Sequence, residues 1–393
     1  MSGLRRYRAL GRQPGILTVG LPSVASRLPL GMTNLALLLA VHASSGSFGF
    51  AAAAAACFAV ASGASSPVRG RLVDRAGAAP VLAVTGILQT LALAGVGWAA
   101  SQPGNGPGVL AASLAAGALL PPVGPVARAV WQRLPDGGLR QAAFSLDALI
   151  LQVIYYTVGP PLVALLAAVS SPDAVLYVIA ALTLAGTLPM AAARQVRDWP
   201  LSRVPQPLTG ALATPGLLPV LAVVVATAAA TSAAEVAATG FAVARHAGDL
   251  SGLLLALFGA GSIAGGLFQG AREWRSPLSA QYRGWVAALC LALLPLAAAP
   301  GLIVLGVLLV IAGLAVAPAS SVQFAHVGTI AREGTLTEAF TWLFSASQAG
   351  GALGSAAVGA AVQTTGPRLS LLLPCALAAL AFALTLPSRR SPR

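Results

Sequence analysis

Polar residues in this chain punctuate long apolar runs instead of alternating with apolar ones. The stretch 301–327, for example, has no Asp, Glu, Lys or Arg, and 47–69 has none before Arg69. Runs of this length match the roughly 20 apolar residues a helix needs to cross a ~30 Å hydrocarbon core. Helices that are apolar all round, without a polar stripe, are those that bury every face in protein or lipid. Read against Gly, Pro and Arg punctuation, the pattern predicts twelve helices: 15–41, 47–69, 80–100, 107–130, 141–169, 172–193, 214–243, 248–271, 281–299, 301–327, 335–363 and 368–387. The fold class expected is all-α and polytopic, with a lipid bilayer as solvent.

Composition agrees with the pattern. Hydrophobic residues make up 57% of the 393 and charged residues 8%, with a mean hydropathy of +0.83, and no stretch is left over for a soluble domain. The net charge of +13 would suit nucleic acid if it were concentrated, but the 23 basic residues are scattered between apolar runs, so no nucleic-acid partner is expected. Scatter of this kind sets topology. With a cytoplasmic N-terminus, only Arg245 and Arg368 fall in outside segments and Arg27 falls within a span. An even number of spans returns the C-terminus to the same side. The expectation is a multi-pass protein of the cell inner (plasma) membrane with both termini cytoplasmic.

All 23 basic residues are Arg. The absence of Lys excludes a Walker phosphate loop, a pyridoxal Schiff base and a lysine nucleophile, so ATP bound here does not drive the work. Cys57, Cys290 and Cys375 lie in separate apolar runs without C-x-x-C spacing, and His42, His246 and His326 are far apart, so neither a disulfide framework nor a metal site is indicated and no cofactor is implied. Arg5, Arg6 and Arg8 before an apolar run imitate a secretory signal, but Arg27 and Pro29 interrupt that run and argue against cleavage.

Residues 194–213, Arg- and Pro-containing and without apolar period, are the longest interruption and read as a cytoplasmic linker between 1–193 and 214–393. The two parts echo each other. Ala143-Phe144-Ser145 with Gln152 recurs as Ala339-Phe340-Thr341 with Gln348, and Gly70 at the end of the second span has a counterpart in Gly270 at the end of the eighth. Trp98, Trp131, Trp274 and Trp285 fall at predicted helix ends, where an interfacial aromatic belt places them.

The charged stretch Gly70-Arg71-Leu72-Val73-Asp74-Arg75-Ala76-Gly77 resembles the cytoplasmic signature loop of the major facilitator superfamily, G-x-L-x-D-R-x-G-R-R, with Ala78 and Ala79 in place of its last two basic residues. The resemblance, to bacterial members of the superfamily, covers nearly the whole chain. It implies two pseudo-symmetric six-helix bundles around a central cavity, with 12 transmembrane helices in all, and an Asp74 that faces the N-terminus of the eleventh helix. Physically, Gly70 and Gly77 permit a tight reversal and a carboxylate favours the positive end of a helix. The eleventh helix opens Thr335-Leu336-Thr337-Glu338, a capping-box sequence. Asp74 on that end, with Arg75 near Glu338, would latch the bundles on the cytoplasmic side; a plainer reading gives these charges a role in topology alone. Gly261-x-x-x-Gly265 and Gly350-x-x-x-Gly354 permit close helix approach, and the eighth and eleventh helices that carry them are expected to line the moving seam; the alternative is ordinary static packing.

Ionisable residues inside spans are costly and so mark function by default. Arg27 stands about 18 Å into the first helix and Asp147 about 9 Å into the fifth, with Gln152 roughly a turn and a half deeper. In the resembling family the first and fifth helices are neighbours, which would make Arg27 and Asp147 a neutralising pair released when Asp147 takes a proton. The alternative has Arg27 donating to carbonyls left unbonded by Pro29 while Asp147 snorkels to the interface. Glu235, about 30 Å along the seventh helix, would gate the outer mouth or hold a cationic solute.

Gly159-Pro160, after Tyr155 and Tyr156, resembles the centre of the drug–proton antiporter signature and is expected to bend the fifth helix. Pro121-Pro122-x-Gly124-Pro125 is expected to bend or unwind the fourth. A cavity drawing on the first, fourth, seventh and tenth helices takes Arg27, Asn34, Gln152, Tyr155 and Glu235 as candidate contacts. The functional expectation is a monomeric secondary transporter moving a small solute by alternating access, as proton-coupled efflux. The alternative is a transporter-like sensor or scaffold. An enzyme is not expected, because no H-E-x-x-H, G-x-S-x-G or clustered His/Asp constellation is present.

Overall fold

The computed structural model describes all residues except 1–2, 14, 103, 136–137, 200–209 and 387–393. Half of the linker 194–213, with Arg203, and the C-terminal Arg389, Arg390 and Arg393 therefore lie outside the described residues. The structure is a bundle of helices: α1 (Gly3–Gly11), α2 (Ile16–Ser45), α3 (Phe48–Ala76), α4 (Ala78–Ala100), α5 (Gly106–Ala118), α6 (Val123–Trp131), α7 (Leu139–Gln152), α8 (Gly159–Val169), α9 (Pro172–Ala192) and α10 (Arg194–Arg197). The chain continues through α11 (Leu217–Ala244), α12 (Ser251–Ala271), α13 (Leu278–Leu293), α14 (Leu302–Gly313), α15 (Val316–Ile330), α16 (Leu336–Thr365), α17 (Pro367–Ser370) and α18 (Leu372–Leu384). Ten of these helices or helix runs are long and apolar enough to cross a membrane. The 30-residue α16 and the shorter apolar run ending at Leu384 stand where the eleventh and twelfth spans are expected.

Two spans break where the sequence predicts it. Pro121 and Pro122 cannot donate backbone bonds, and the chain unwinds between α5 and α6. Between α7 and α8 the helix widens into a π turn, Val153–Val158, that ends at Gly159-Pro160. A third break, between α14 and α15, has no Pro at the break itself; there the Ala317 amide donates to Ser262 Oγ of α12, 3.1 Å away. Elsewhere the helices run through expected boundaries. The second span continues past Arg69 to Ala76, so Gly70 lies within α3 and the reversal into α4 rests on Gly77 alone, at φ 93°.

Buried apolar residues divide unevenly along the bundle. At the end where α3 meets α16, one core joins early and late helices: Val73, Ala143 and Phe144 pack with Val224, Phe324 and Phe340. The Phe144 ring lies 6.4 Å from Phe324 and 6.3 Å from Phe340. At the opposite end there are two separate cores, one around Leu37, Phe58 and Ile179, the other around Phe241, Phe258 and Leu305. The bundle is sealed at the Asp74 end and divided at the other.

The internal echoes meet across that seal in matching fashion. A Cβ on Gly70 of α3 would overlap Thr341 of α16, and one on Gly270 of α12 would stand 2.9 Å from Ser145 Cβ of α7. The small residues of each repeat thus receive the glycine of the other. The helices α12 and α16 do pack against α7 and α3, but their two G-x-x-x-G pairs serve static packing. Gly261 and Gly265 meet the carbonyls of Val310 and Leu314, beside α14, and Gly350 and Gly354 meet those of Val225 and Ala229 in α11. Both contacts join later helices to one another and neither lies at the seam, because on α12 it is Gly259, Gly266 and Gly270 that face the fifth span. Gly354→Ala is accordingly expected to destabilise by about 1–3 kcal/mol through overpacking, read as a lower melting temperature in detergent. Gly359→Ala, whose Cβ meets nothing within 4 Å, should leave it unchanged.

Candidate functional site

A cavity of about 610 Å³ lies between the early and late helices. Its walls come from more spans than the four expected, since α3, the fifth span and α16 also contribute Ser66, Gln152 and Phe344. Arg27, Asn34, Gln152, Tyr155, Tyr156 and Glu235 all line it. Asp147 does not; it stands behind two of the lining residues.

Close backbone approach of α2 to the fifth span places these groups. Side chains on Gly31 and Gly159 would overlap backbone atoms of the opposite helix, Ile154 O and Gly31 O respectively. About one turn from Gly31, Arg27 Nη1 lies 2.6 Å from Asp147 Oδ1. The pair is not alone. Arg128 Nε donates to Asp147 Oδ2 at 2.8 Å and Trp131 Nε1 to Oδ1 at 3.3 Å. Arg27, Arg128 and Asp147 are 1%, 5% and 3% exposed, so one carboxylate is shared by two guanidiniums out of water. Arg128 also stacks on Phe324, with Cζ 3.8 Å from the ring centroid. Arg27 Nε and Nη2 have no hydrogen-bond partner among the described residues, so carbonyls freed by Pro29 do not hold this side chain, and Asp147 does not reach an interface.

Trp131 is thus not part of an interfacial belt; it is buried on Asp147. Trp274 and Trp285 stack edge-on with 5.8 Å between ring centroids, and Trp98 is exposed. Arg128, read from sequence as a topology residue at the end of the fourth span, belongs to the charged cluster. Arg69, likewise read from sequence as a topology residue, ends no helix. It is buried and donates to the carbonyls of Gly117 and Ala118 at 2.9 and 2.8 Å and of Ser62 at 2.8 Å. Gly117 and Ala118 close α5, so a cation satisfies the open C-terminal carbonyls of a broken helix. Arg69 lies a helical repeat from Ser62 on one face, and Arg128 three residues before Trp131; that spacing, with the P-P-x-G-P break between the two arginines, is the signal that could have found them.

Farther along the cavity the Tyr156 hydroxyl donates to Glu235 Oε1, joining the fifth span to α11. Tyr156 also packs edge-on against Phe258, with centroids 6.3 Å apart. Glu235 therefore lies on the cavity wall, tied to Tyr156. Gln152 faces the cavity with its Oε1 unpaired.

The sealed end is built on Asp74. Its carboxylate accepts from the backbone amides of Thr337 (Oδ1, 3.2 Å) and Glu338 (Oδ2, 2.9 Å), the second and third residues of α16. Those amides are the ones a capping side chain serves. Thr335 makes no such cap; its hydroxyl donates to Arg332 O instead, so the capping box is replaced by a residue of α3. Glu338 is correspondingly free to pair with Arg71, whose Nη2 lies 2.8 Å from Oε1 and Nε 3.2 Å from Oε2. Arg71, not Arg75, takes this place because α3 stays helical through 76. Residues 71 and 74, three apart, then share a face, while Arg75 is exposed. Gln132 Nε2 adds a bond to Gly328 O at 2.8 Å and Ser145 Oγ lies 2.9 Å from Ser321 Oγ, both across the same seam. Among the described residues no group of three His, Cys, Asp or Glu side chains could hold a metal ion.

No family model and no curated protein matches the sequence. Solved structures do match. The human organic anion transporter MFSD10 (TETRAN) superposes with a TM-score of 0.77 at 15% identity, over 95% of this chain and all of the other. A bacterial homologue of the iron transporter ferroportin in an outward-facing state gives 0.77 at 15%, over 95% and 98%. The same kind of protein with soaked iron gives 0.75 at 14%, over 95% and 98%. Likeness at this identity establishes the fold.

Proposed function

We propose that this chain, which has the fold of the major facilitator superfamily, is a secondary transporter that moves a small solute by alternating access. The observation that carries this reading is the pairing of a central charged cavity with one common core at the Asp74 end and two separate cores at the other. A transporter caught with one gate shut has this arrangement. In this reading the helices of 1–193 and 214–393 form two bundles joined by 194–213, and the Asp74 end is cytoplasmic in an inner (plasma) membrane. Asp74, Arg71 and Glu338 close that gate. Protonation of Asp147 would release Arg27 and Arg128 together, which offers a route to proton-coupled efflux.

Alternation is testable without knowing the solute. Asn34 is exposed to the cavity. Asn34→Cys, in a background lacking Cys57, Cys290 and Cys375, is expected to react with a membrane-impermeant thiol reagent from either face of a proteoliposome. Adding Gln132→Cys and Gly328→Cys and oxidising the pair should abolish labelling from the Asp74 face only, and reductant should restore it. Labelling from a single face in the uncrosslinked protein would favour a sensor or scaffold and remove the transport reading.

A further inference from the structure

The charges around the cavity do not cancel locally. Arg27 and Arg128 share Asp147, so their cluster carries one positive charge in excess, and Arg69 nearby on the wall is matched only by carbonyl dipoles. Glu235 lies about 10 Å farther along the bundle, by helical rise, and is engaged by Tyr156. An excess cation in a desolvated site is costly unless something compensates it.

Three features aim that excess at the cavity. Arg27 is 1% exposed yet lines the cavity with Nε and Nη2 unpaired. The fourth span is broken so that α6 begins on the cavity wall, where Pro122, Gly124 and Pro125 line it; in its first turn Val123 N donates to Pro121 O and Pro125 has no N–H, so Gly124 N is the one amide there without a backbone acceptor among the described residues. Such a terminus carries about half a positive charge. Finally, Gly124 sits between the two guanidiniums: a Cβ there would stand 3.8 Å from Arg27 Nε and 3.9 Å from Arg128 Nη2. That single missing side chain leaves both within reach of one ligand group.

We infer that this end of the cavity is an anion site, and that the solute is an organic anion with one singly charged head group, a carboxylate, sulfonate or phosphodiester. The head is held between Arg27, Arg128 and the start of α6. Its apolar body lies against Leu30, Leu120, Leu343 and Phe344. Planar guanidiniums suit such a head because they donate in pairs. Asp147 both orients the two arginines and limits their excess to one charge, so the site is matched to a monoanion. The inference rests on the cavity being the solute's site in the proposed transporter.

The full-length protein in detergent should bind 2-naphthoate and naphthalene-2-sulfonate saturably. 2-Naphthamide should bind at least tenfold more weakly and 2-naphthylmethylamine more weakly still, as read by calorimetry. Arg27→Gln, which leaves a neutral Arg128–Asp147 pair, should bring carboxylate and amide to within about twofold of each other. Gly124→Val keeps every charge and should weaken the anions at least tenfold, with the melting temperature showing that the variant is folded. Equal binding of acid and amide, preference for the amine, or no saturable binding of either anion would overturn the inference. Anion binding without flux into proteoliposomes would leave the anion site standing and remove transport; flux of neutral solutes without anion preference would do the reverse.

Discussion

Replacing Asp74 by Asn is expected to open the sealed end. The carboxylate takes both the Thr337 and Glu338 amides and sits on the positive end of α16. Bonds to a charged acceptor contribute about 1.5–3 kcal/mol each, and a partly buried charge at a helix terminus up to ~2 kcal/mol. Asn keeps one acceptor oxygen, so a net loss of about 2–3 kcal/mol is reasonable, or roughly a 30- to 150-fold shift between sealed and open states at 1.4 kcal/mol per decade. The measurement is the rate at which Asn34→Cys reacts from the Asp74 face, which should rise by at least tenfold over the parent. Arg71→Gln should do less. Its side chain is 31% exposed, and a pair with one solvated partner contributes little. An unchanged labelling rate in the Asp74 variant would show that the seal depends on the shared apolar core alone.

Asp147→Asn is expected to have the other large effect, on stability first and coupling second. Removing the carboxylate leaves two buried guanidiniums facing each other without a counter-charge. Breaking a buried ion cluster in this way costs about 3–5 kcal/mol. The apparent melting temperature should fall by roughly 4–6 °C. The sign of the second change separates charge from packing. Adding Arg128→Gln removes one of the two stranded cations, so the double variant should be more stable than Asp147→Asn alone, a coupling that a purely packing role would not produce. If Asp147 also carries the proton, flux in the double variant should lose its dependence on a pH gradient. Stability indifferent to Asp147→Asn would contradict the cluster's electrostatics.

How much of this was legible beforehand differs from residue to residue. The position of Asp74 five residues past the expected end of the second span, and the helix start at Thr335, are local features, and they placed a carboxylate at a helix terminus. Depth along a helix is also local, because rise per residue is fixed; it put Arg27 and Asp147 close enough in level to meet. Partner choice was not local. Whether Arg71 or Arg75 reaches Glu338 turns on the helical phase of α3, which changed once the helix ran on to Ala76. The sequence counts of basic residues treated Arg69 and Arg128 as topology signals, since counting assigns a residue to the nearest loop whatever its side chain touches.

The sequence by itself determined an all-helical chain built for lipid, the two breaks at proline, and the presence of costly charges within apolar runs. Apolar length, missing backbone donors and charge are properties each segment carries alone. Only the tertiary structure decided that two arginines share Asp147, that Trp131 joins them, that α3 caps α16 in place of Thr335, and that the G-x-x-x-G pairs lie away from the seam. Those outcomes depend on which face each helix turns toward which neighbour. An apolar helix without a polar stripe has no preferred face, so its orientation is settled by close backbone contacts such as Gly31 with Ile154, between residues far apart in the chain.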